Sequence, residues 1–134
     1  MLRPAKESDI PSLQAIGKTV GLFDYGFLYQ KFVRRNLVFV MELENQIVGY
    51  VIAFPLFLGQ GFCLQIGVSS KHQGRGVGTT LMSFIEKQMR EHHQTYRLFA
   101  HTIKDRSLAY FGKKLMYRPW FNLFGLTVIY KKIA

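Results

Sequence analysis

The segment Val68-Ser69-Ser70-Lys71-His72-Gln73-Gly74-Arg75-Gly76-Val77-Gly78-Thr79 constrains this chain more than any other. It joins an apolar strand over 62–68 to an amphipathic helix in which Val77, Leu81, Phe84, Ile85 and Met89 keep helical spacing. Three glycines alternate at the helix mouth. Lacking Cβ atoms, they let the backbone curl until several N–H groups face one spot. The helix start adds its own free N–H groups and the positive end of its dipole. The result is an anion cradle suited to a pyrophosphate, with Lys71, His72 and Arg75 adding charge. A strand, this loop and a helix in that order imply a parallel crossover.

The rest of the chain supplies what such a crossover needs. Residues 2–5 form a short edge strand. Ser8-Asp9-Ile10-Pro11 marks a helix start with capping side chains, and Ile10, Leu13, Ile16 and Val20 continue it until Gly21 interrupts. A second helix is expected over 23–35, with Phe27, Phe32 and Val33 available for packing. Strands over 37–43 and 47–57 flank a turn at 44–46 and form a hairpin. A further turn at 59–61 leads into the strand over 62–68, where Gly67 signals a bulge or a close backbone approach. A strand over 97–101, a helix from Asp105 to about Lys114, and strands over 118–124 and 126–132 complete the order. The fold class is mixed α/β.

With 134 residues, 49% of them hydrophobic, the chain is long enough for one domain, 1–134, with a real core. No apolar run approaches the ~20 residues that cross a bilayer, so no membrane partner is expected. The opening Met1-Leu2-Arg3-Pro4-Ala5-Lys6 is not that of a signal peptide, and the expected location is cytoplasmic. A single cysteine, Cys63, excludes an internal disulfide and any Cys-based zinc site, and no metal is expected. The net charge of +10 is uneven. Residues 1–70 carry six basic and five acidic side chains, whereas 71–134 carry twelve and three. The second half should attract an anion: a phosphorylated cofactor, an acidic acceptor or nucleic acid.

Two familiar glycine motifs fail on spacing. A Walker loop ends in Gly-Lys-Ser/Thr, and Gly78-Thr79-Thr80 has no lysine. A dinucleotide fingerprint needs Gly-x-Gly-x-x-Gly, which Gly74-x-Gly76-x-Gly78 does not provide. A bare structural turn stays open. Gln73-x-x-Gly76-x-Gly78, after a strand ending at Val68 and before an amphipathic helix, resembles the acyl-CoA pyrophosphate loop of the GNAT superfamily of N-acetyltransferases. Leu2-Arg3-Pro4-Ala5 with Asp9-Ile10 is similar to that family's opening. Phe39-Val40-Met41-Glu42 with Ile47-Val48-Gly49-Tyr50 is similar to its first hairpin. Asp105, twelve residues before Tyr117, matches the spacing of its second cofactor segment.

The resemblance implies a GNAT-like mixed central sheet with flanking helices and a splayed pair of parallel central strands. It implies acetyl-CoA as co-substrate. The main chain of Ile66, Gly67 and Val68 would follow the pantetheine arm, which slots into the splay. The N–H groups of Gln73, Gly74, Arg75, Gly76, Val77, Gly78 and Thr79 would hold the pyrophosphate. Asp105 sits where the family commonly has an Asn on the arm, and a helix cap is an equal alternative. The family's usual catalytic pair does not carry over. Its tyrosine acid falls on Gly112, the glycine before its closing aromatic is Met116, and its glutamate bases fall on Ala100 and near Phe62. Tyr110 and His101 are weak substitutes; Asp24, Glu42 and Glu44 are others, and Tyr117 reads as core. Direct transfer, with proximity doing most of the work, needs none of them.

The expected reaction is acetyl transfer to a primary amine of a small molecule or a protein. The aromatic-rich segments at 21–26 and 122–125 would line the acceptor site. The basic second half keeps nucleic acid open as a partner, through a toxin-like relative acting on aminoacyl-tRNA or a ribosomal component. A non-enzymatic CoA- or nucleic-acid-binding module and a homodimer are open as well.

Overall fold

The computed structural model describes residues 1–102, 112–123 and 126–134. Its strands are β1 (Leu2–Pro4), β2 (Val38–Leu43), β3 (Gln46–Pro55), β4 (Gln60–Val68), β5 (Arg97–Thr102), β6 (Arg118–Leu123) and β7 (Leu126–Lys132). The helices are α1 (Ile10–Val20), α2 (Leu28–Arg34) and α3 (Val77–His93). The strands hydrogen-bond in the order β1-β2-β3-β4-β5-β7-β6. β4 and β5 run parallel, while β1–β2, β2–β3, β5–β7 and β6–β7 are antiparallel. This is the mixed sheet expected for a GNAT-like chain. Contacts group the residues into two compact units, Met1–Ile52 with Gln65–Ile85, and Ala53–Leu64 with Glu86–Ala134.

In the first unit, α1 ends as the sequence requires. Gly21 takes a left-handed φ of +79° and its N–H closes on the Gly17 carbonyl. The start of α1 differs from expectation. Asp9 makes no side-chain cap to α1. Its carboxylate accepts from the Lys6 N–H at 2.8 Å and from both terminal nitrogens of Arg3 at 2.7 and 3.1 Å. Arg3 Nε also donates to Glu42 at 3.0 Å, joining the loop before α1 to β2. α2 is shorter than its expected 23–35. Gly26 has φ +57° and its N–H donates to Asp24 Oδ1, so this local turn displaces the first helical residues. Val33 is buried, whereas Phe27 is exposed rather than part of the core. Leu13, Val38, Val40, Tyr50, Ile52, Leu81 and Met82 form that core.

In the second unit, the parallel ladder pairs Gln60–Cys63 with Arg97–Ala100. Past it, His101 and Thr102 continue in register with Val128 and Thr127 of β7. The parallel pairing thus stops at Cys63 and Ala100. Gly61 keeps room for Met89 and Thr95: an added Cβ would lie 2.8 Å from Met89 Cε and 3.0 Å from Thr95 Cγ2. β6 ends the strand order, which suits the proline at Pro119 beside a register shift. Among the described residues, no helix is long and apolar enough to cross a membrane.

Candidate functional site

The loop after β4 is built by a chain of short-range bonds. The Ser69 N–H donates to the Val48 carbonyl at 2.9 Å, tying the strand end to β3. Ser70–His72 make one 3-10 turn, with Ser69 Oγ 2.7 Å from His72 Nδ1. Gln73 Nε2 donates back to the Val68 carbonyl at 3.1 Å. Gly74 and Gly76 then take φ values of +75° and +84°, the left-handed region that glycine enters freely. The Thr80 N–H closes on the Gly76 carbonyl at 2.9 Å. The N–H groups of Val77 and Gly78 therefore precede the first intrahelical bond of α3. Among the described residues, no atom beyond the adjoining residues lies within 4 Å of where a Cβ would stand on Gly74 or Gly76. Lys71 and Arg75 are exposed beside this curl. This arrangement can hold a phosphoryl group.

Two further glycines set where the loop stands. A Cβ on Gly49 would meet Val77 Cγ1 at 2.9 Å and Leu81 Cδ1 at 3.0 Å. Its absence lets the first turn of α3 close on β3. A Cβ on Gly67 would meet Tyr50 Cε1 at 2.6 Å. Gly67, between Ile66 and Val68, is thus a close approach: the Tyr50 ring occupies the space its side chain would need.

Gln65 is the residue that the sequence reading missed. It lies on the buried face of β4 with Cys63 and Gly67, a polar side chain in an inward position of a period-2 pattern. Its Oε1 accepts from Tyr50 Oη at 2.7 Å and Tyr29 Oη at 3.2 Å. Its Nε2 donates to the Phe23 carbonyl at 2.8 Å. Burial pushes both phenols above their ordinary range, so each stays a hydrogen-bond donor at neutral pH. The network pins the connection between α1 and α2. That connection helps line a cleft of about 530 Å³, whose walls include Gln14, Lys18, Leu22, Phe23, Asp24 and Tyr29. Asp24 accepts from Gly26 N–H and from Gln14 Nε2 at 3.3 Å.

The catalytic candidates are dispersed. His101 belongs to the second unit, where Nε2 lies 3.0 Å from the Leu64 carbonyl and so carries the proton. Its ring stacks on Phe62. Glu42 is held by Arg3, and Glu44 forms the β2–β3 turn with φ +50°. Tyr117 is buried as expected, and its hydroxyl donates to Glu86 Oε2 at 2.9 Å. Lys131 Nζ donates to the same carboxylate at 3.0 Å. Gly112 is helical and brings no acid. Asp105 and Tyr110 lie outside the described residues, as do Phe124 and Gly125 of the expected acceptor segment.

Comparison with known proteins gives one family. Residues 9–115 match the model described as the acetyltransferase (GNAT) family. No curated protein matches. Among solved structures, a ribosomal-protein-alanine N-acetyltransferase from Brucella melitensis is 24% identical with a TM-score of 0.78, over 98% of this chain and 99% of that one. The Ard1 protein of Thermoplasma volcanium superposes with a TM-score of 0.87 at 17% identity, over 100% and 97%. The PaiA N-acetyltransferase of Thermoplasma acidophilum, solved in complex with coenzyme A, gives 0.78 at 12% identity, over 98% of both chains.

Proposed function

Because this chain belongs to the GNAT family of acetyltransferases, we propose that it binds acetyl-CoA on the loop after β4 and moves the acetyl group to a primary amine. We read residues 1–134 as one such domain. The observation that carries this reading is the curl at Gly74 and Gly76, both at positive φ, leading into the first turn of α3. Main-chain N–H groups over residues 73–79 hold the pyrophosphate, and the main chain of Ile66 and Val68 follows the pantetheine arm. The acetyl thioester supplies the electrophilic carbonyl. A neutral amine attacks it, the C–S bond breaks, the thiolate takes a proton and the ammonium formed on the amine loses one. The positions where relatives carry an acid and a base hold Gly112, Ala100 and Phe62 here, and we read the transfer as direct. Binding supplies proximity and water moves the protons. The cleft between α1 and α2 receives the acceptor.

Calorimetric titration with acetyl-CoA tests the loop. Gly76→Val puts a branched side chain where φ is +84°, and binding should weaken by about tenfold or more. Arg75→Ala touches only an exposed side chain and should weaken binding a few-fold without disturbing the fold. Parent-like affinity in both variants would remove the loop assignment. Thiol release on a panel of amines then identifies the acceptor class.

A further inference from the structure

Two hairpins of this chain turn through pairs of left-handed residues with opposite chemistry. The β2–β3 turn has Glu44 at φ +50° and Asn45 at φ +64°. The β3–β4 turn has Leu58 at φ +57° and Gly59 at φ +73°. Its bonds run from Leu56 N–H to the Gln60 carbonyl and from Gln60 N–H to the Phe57 carbonyl. Two-residue turns of this kind favour Asn, Asp and Gly. Asn45 and Gly59 each follow that rule, and the first hairpin's other turn residue, Glu44, is polar. The second places a leucine in a conformation that leucine avoids, and exposes it. Leu56, Phe57 and Leu58 are 46%, 75% and 84% exposed. Nothing in the turn geometry asks for three successive large apolar side chains in water.

The surroundings say what would cover them. The Tyr96 N–H donates to the Gly59 carbonyl at 2.7 Å, which sets an exposed aromatic ring beside the tip. The Arg97 guanidinium lies 5.2 Å from that ring and Lys132 Nζ lies 5.4 Å from it. Arg97 and Lys132 are opposite each other in the β5–β7 register. Neither is ion-paired among the described residues. This unit carries ten Lys and Arg against three Asp and Glu.

We propose that this hairpin tip docks on an anionic bilayer surface. Leu56, Phe57 and Leu58 enter the boundary between headgroups and acyl chains, Tyr96 sits at headgroup level, and Arg97 and Lys132 meet lipid phosphates. A hairpin tip of three side chains is far smaller than the roughly 1,200–2,000 Å² of a specific protein interface. A bilayer yields around such a wedge, and apolar insertion and cationic attraction then act together. Aromatic rings with an adjoining polar group favour the same depth. The lack of a membrane-crossing helix concerns spanning and does not bear on surface contact. The proposal uses no residue of the acetyl-CoA reading, so either can fail alone.

Flotation of the whole chain with phosphatidylcholine vesicles, with and without a third of the lipid as phosphatidylglycerol, tests it. Binding to the anionic vesicles should be at least about tenfold tighter and should weaken with salt. Phe57→Ser combined with Leu58→Asn should lower it by about tenfold or more. Leu58→Asn alone suits the left-handed turn, so it keeps the fold and should still lose several-fold. Lys132→Gln should lose about fivefold on anionic vesicles and nothing on neutral ones. Thermal melting and acetyl-CoA titration of the variants should match the parent. The proposal is overturned by absence of binding to either vesicle, or by binding that the double variant retains. It is equally overturned if the tip variants abolish only self-association, or only binding to an RNA.

Discussion

Each unit of this molecule buries one polar cluster, and the two are built on opposite principles. In the first, Gln65 takes hydroxyl protons from Tyr29 and Tyr50 and gives one to the Phe23 carbonyl. No member is charged, so burial exacts only the desolvation of neutral groups, and the hydrogen bonds offset it. In the second, the Glu86 carboxylate accepts from the Tyr117 hydroxyl and the Lys131 ammonium. A buried charge must stay paired, because losing one partner strands the other. The neutral cluster fixes a loop at modest risk. The charged cluster holds helix α3, strand β7 and the chain before β6 together, and fails hard when cut.

Stability measurements can break that contrast. Glu86→Ala removes the carboxylate that pairs Lys131 and accepts from the Tyr117 hydroxyl, and should cost about 3 kcal/mol, at the low end for a buried pair because Lys131 is partly exposed. Gln65→Leu should cost less, about 2 kcal/mol, because Tyr29 Oη keeps its contact with the Phe23 carbonyl at 3.2 Å. Urea unfolding of the two variants reads the order directly. A larger loss for Gln65→Leu would mean that charge is not what separates the clusters.

Tyr117→Phe is milder, about 1–2 kcal/mol at neutral pH, since Glu86 retains Lys131. It also carries a pH signature. Burial, reinforced by the nearby Glu86 charge, pushes the Tyr117 phenol well above its ordinary range. The unfolded chain releases that proton near pH 10, while the folded chain holds it. Stability is therefore fully present below about pH 10 and falls as pH rises beyond it. Tyr117→Phe should reduce the slope of that fall by one proton. An unchanged alkaline slope would mean that Tyr117 ionises alike in both states.

Much of this was legible in the sequence because its causes are local. The glycine loop could be read because left-handed φ values at Gly74 and Gly76 are a residue-type requirement. Both hairpin turns were read near their true places for a similar reason, and Gly21 ended α1 by its own conformation. The clusters were not legible in this way. Gln65 and Glu86 each interrupt an apolar pattern, Gln65 on the inner face of β4 and Glu86 on the stripe of Met82, Ile85 and Met89. Those interruptions signal buried polar groups, but the partners are 15 to 45 residues away and only the folded chain pairs them. The 23–35 helix failed at its start because the Asp24–Gly26 turn competed with it. Asp9 was read as a helix cap because Ser-Asp-Ile-Pro has the composition of one. Arg3, six residues earlier, is the stronger partner.

Arg3, Asp9 and Glu42 form a third cluster that sharpens the comparison, because it is charged and its arginine is shared by two carboxylates. The Arg3 and Asp9 side chains are 19% and 12% exposed, much as Lys131 and Glu86 are at 27% and 11%. Asp9→Asn keeps the shape of the side chain and an oxygen to accept from Arg3, so it should be the mildest of these changes, about 1 kcal/mol at neutral pH. Its acid behaviour is distinctive. Hydrogen bonds from Arg3 hold the Asp9 carboxyl below the usual carboxylate range, against an opposing effect of burial. The unfolded chain takes up this proton first as pH falls. The stabilisation is therefore present above the ordinary aspartate range, about pH 4, and is lost as pH falls through the lower folded value. Equilibrium unfolding from pH 6 to about pH 2 should show the parent losing stability more steeply than Asp9→Asn. The gap between the two curves should narrow toward the acid end, as the folded state also begins to protonate Asp9. Curves that stay parallel throughout would show that Arg3 holds Asp9 by shape alone, and that this charged cluster behaves like the neutral one around Gln65.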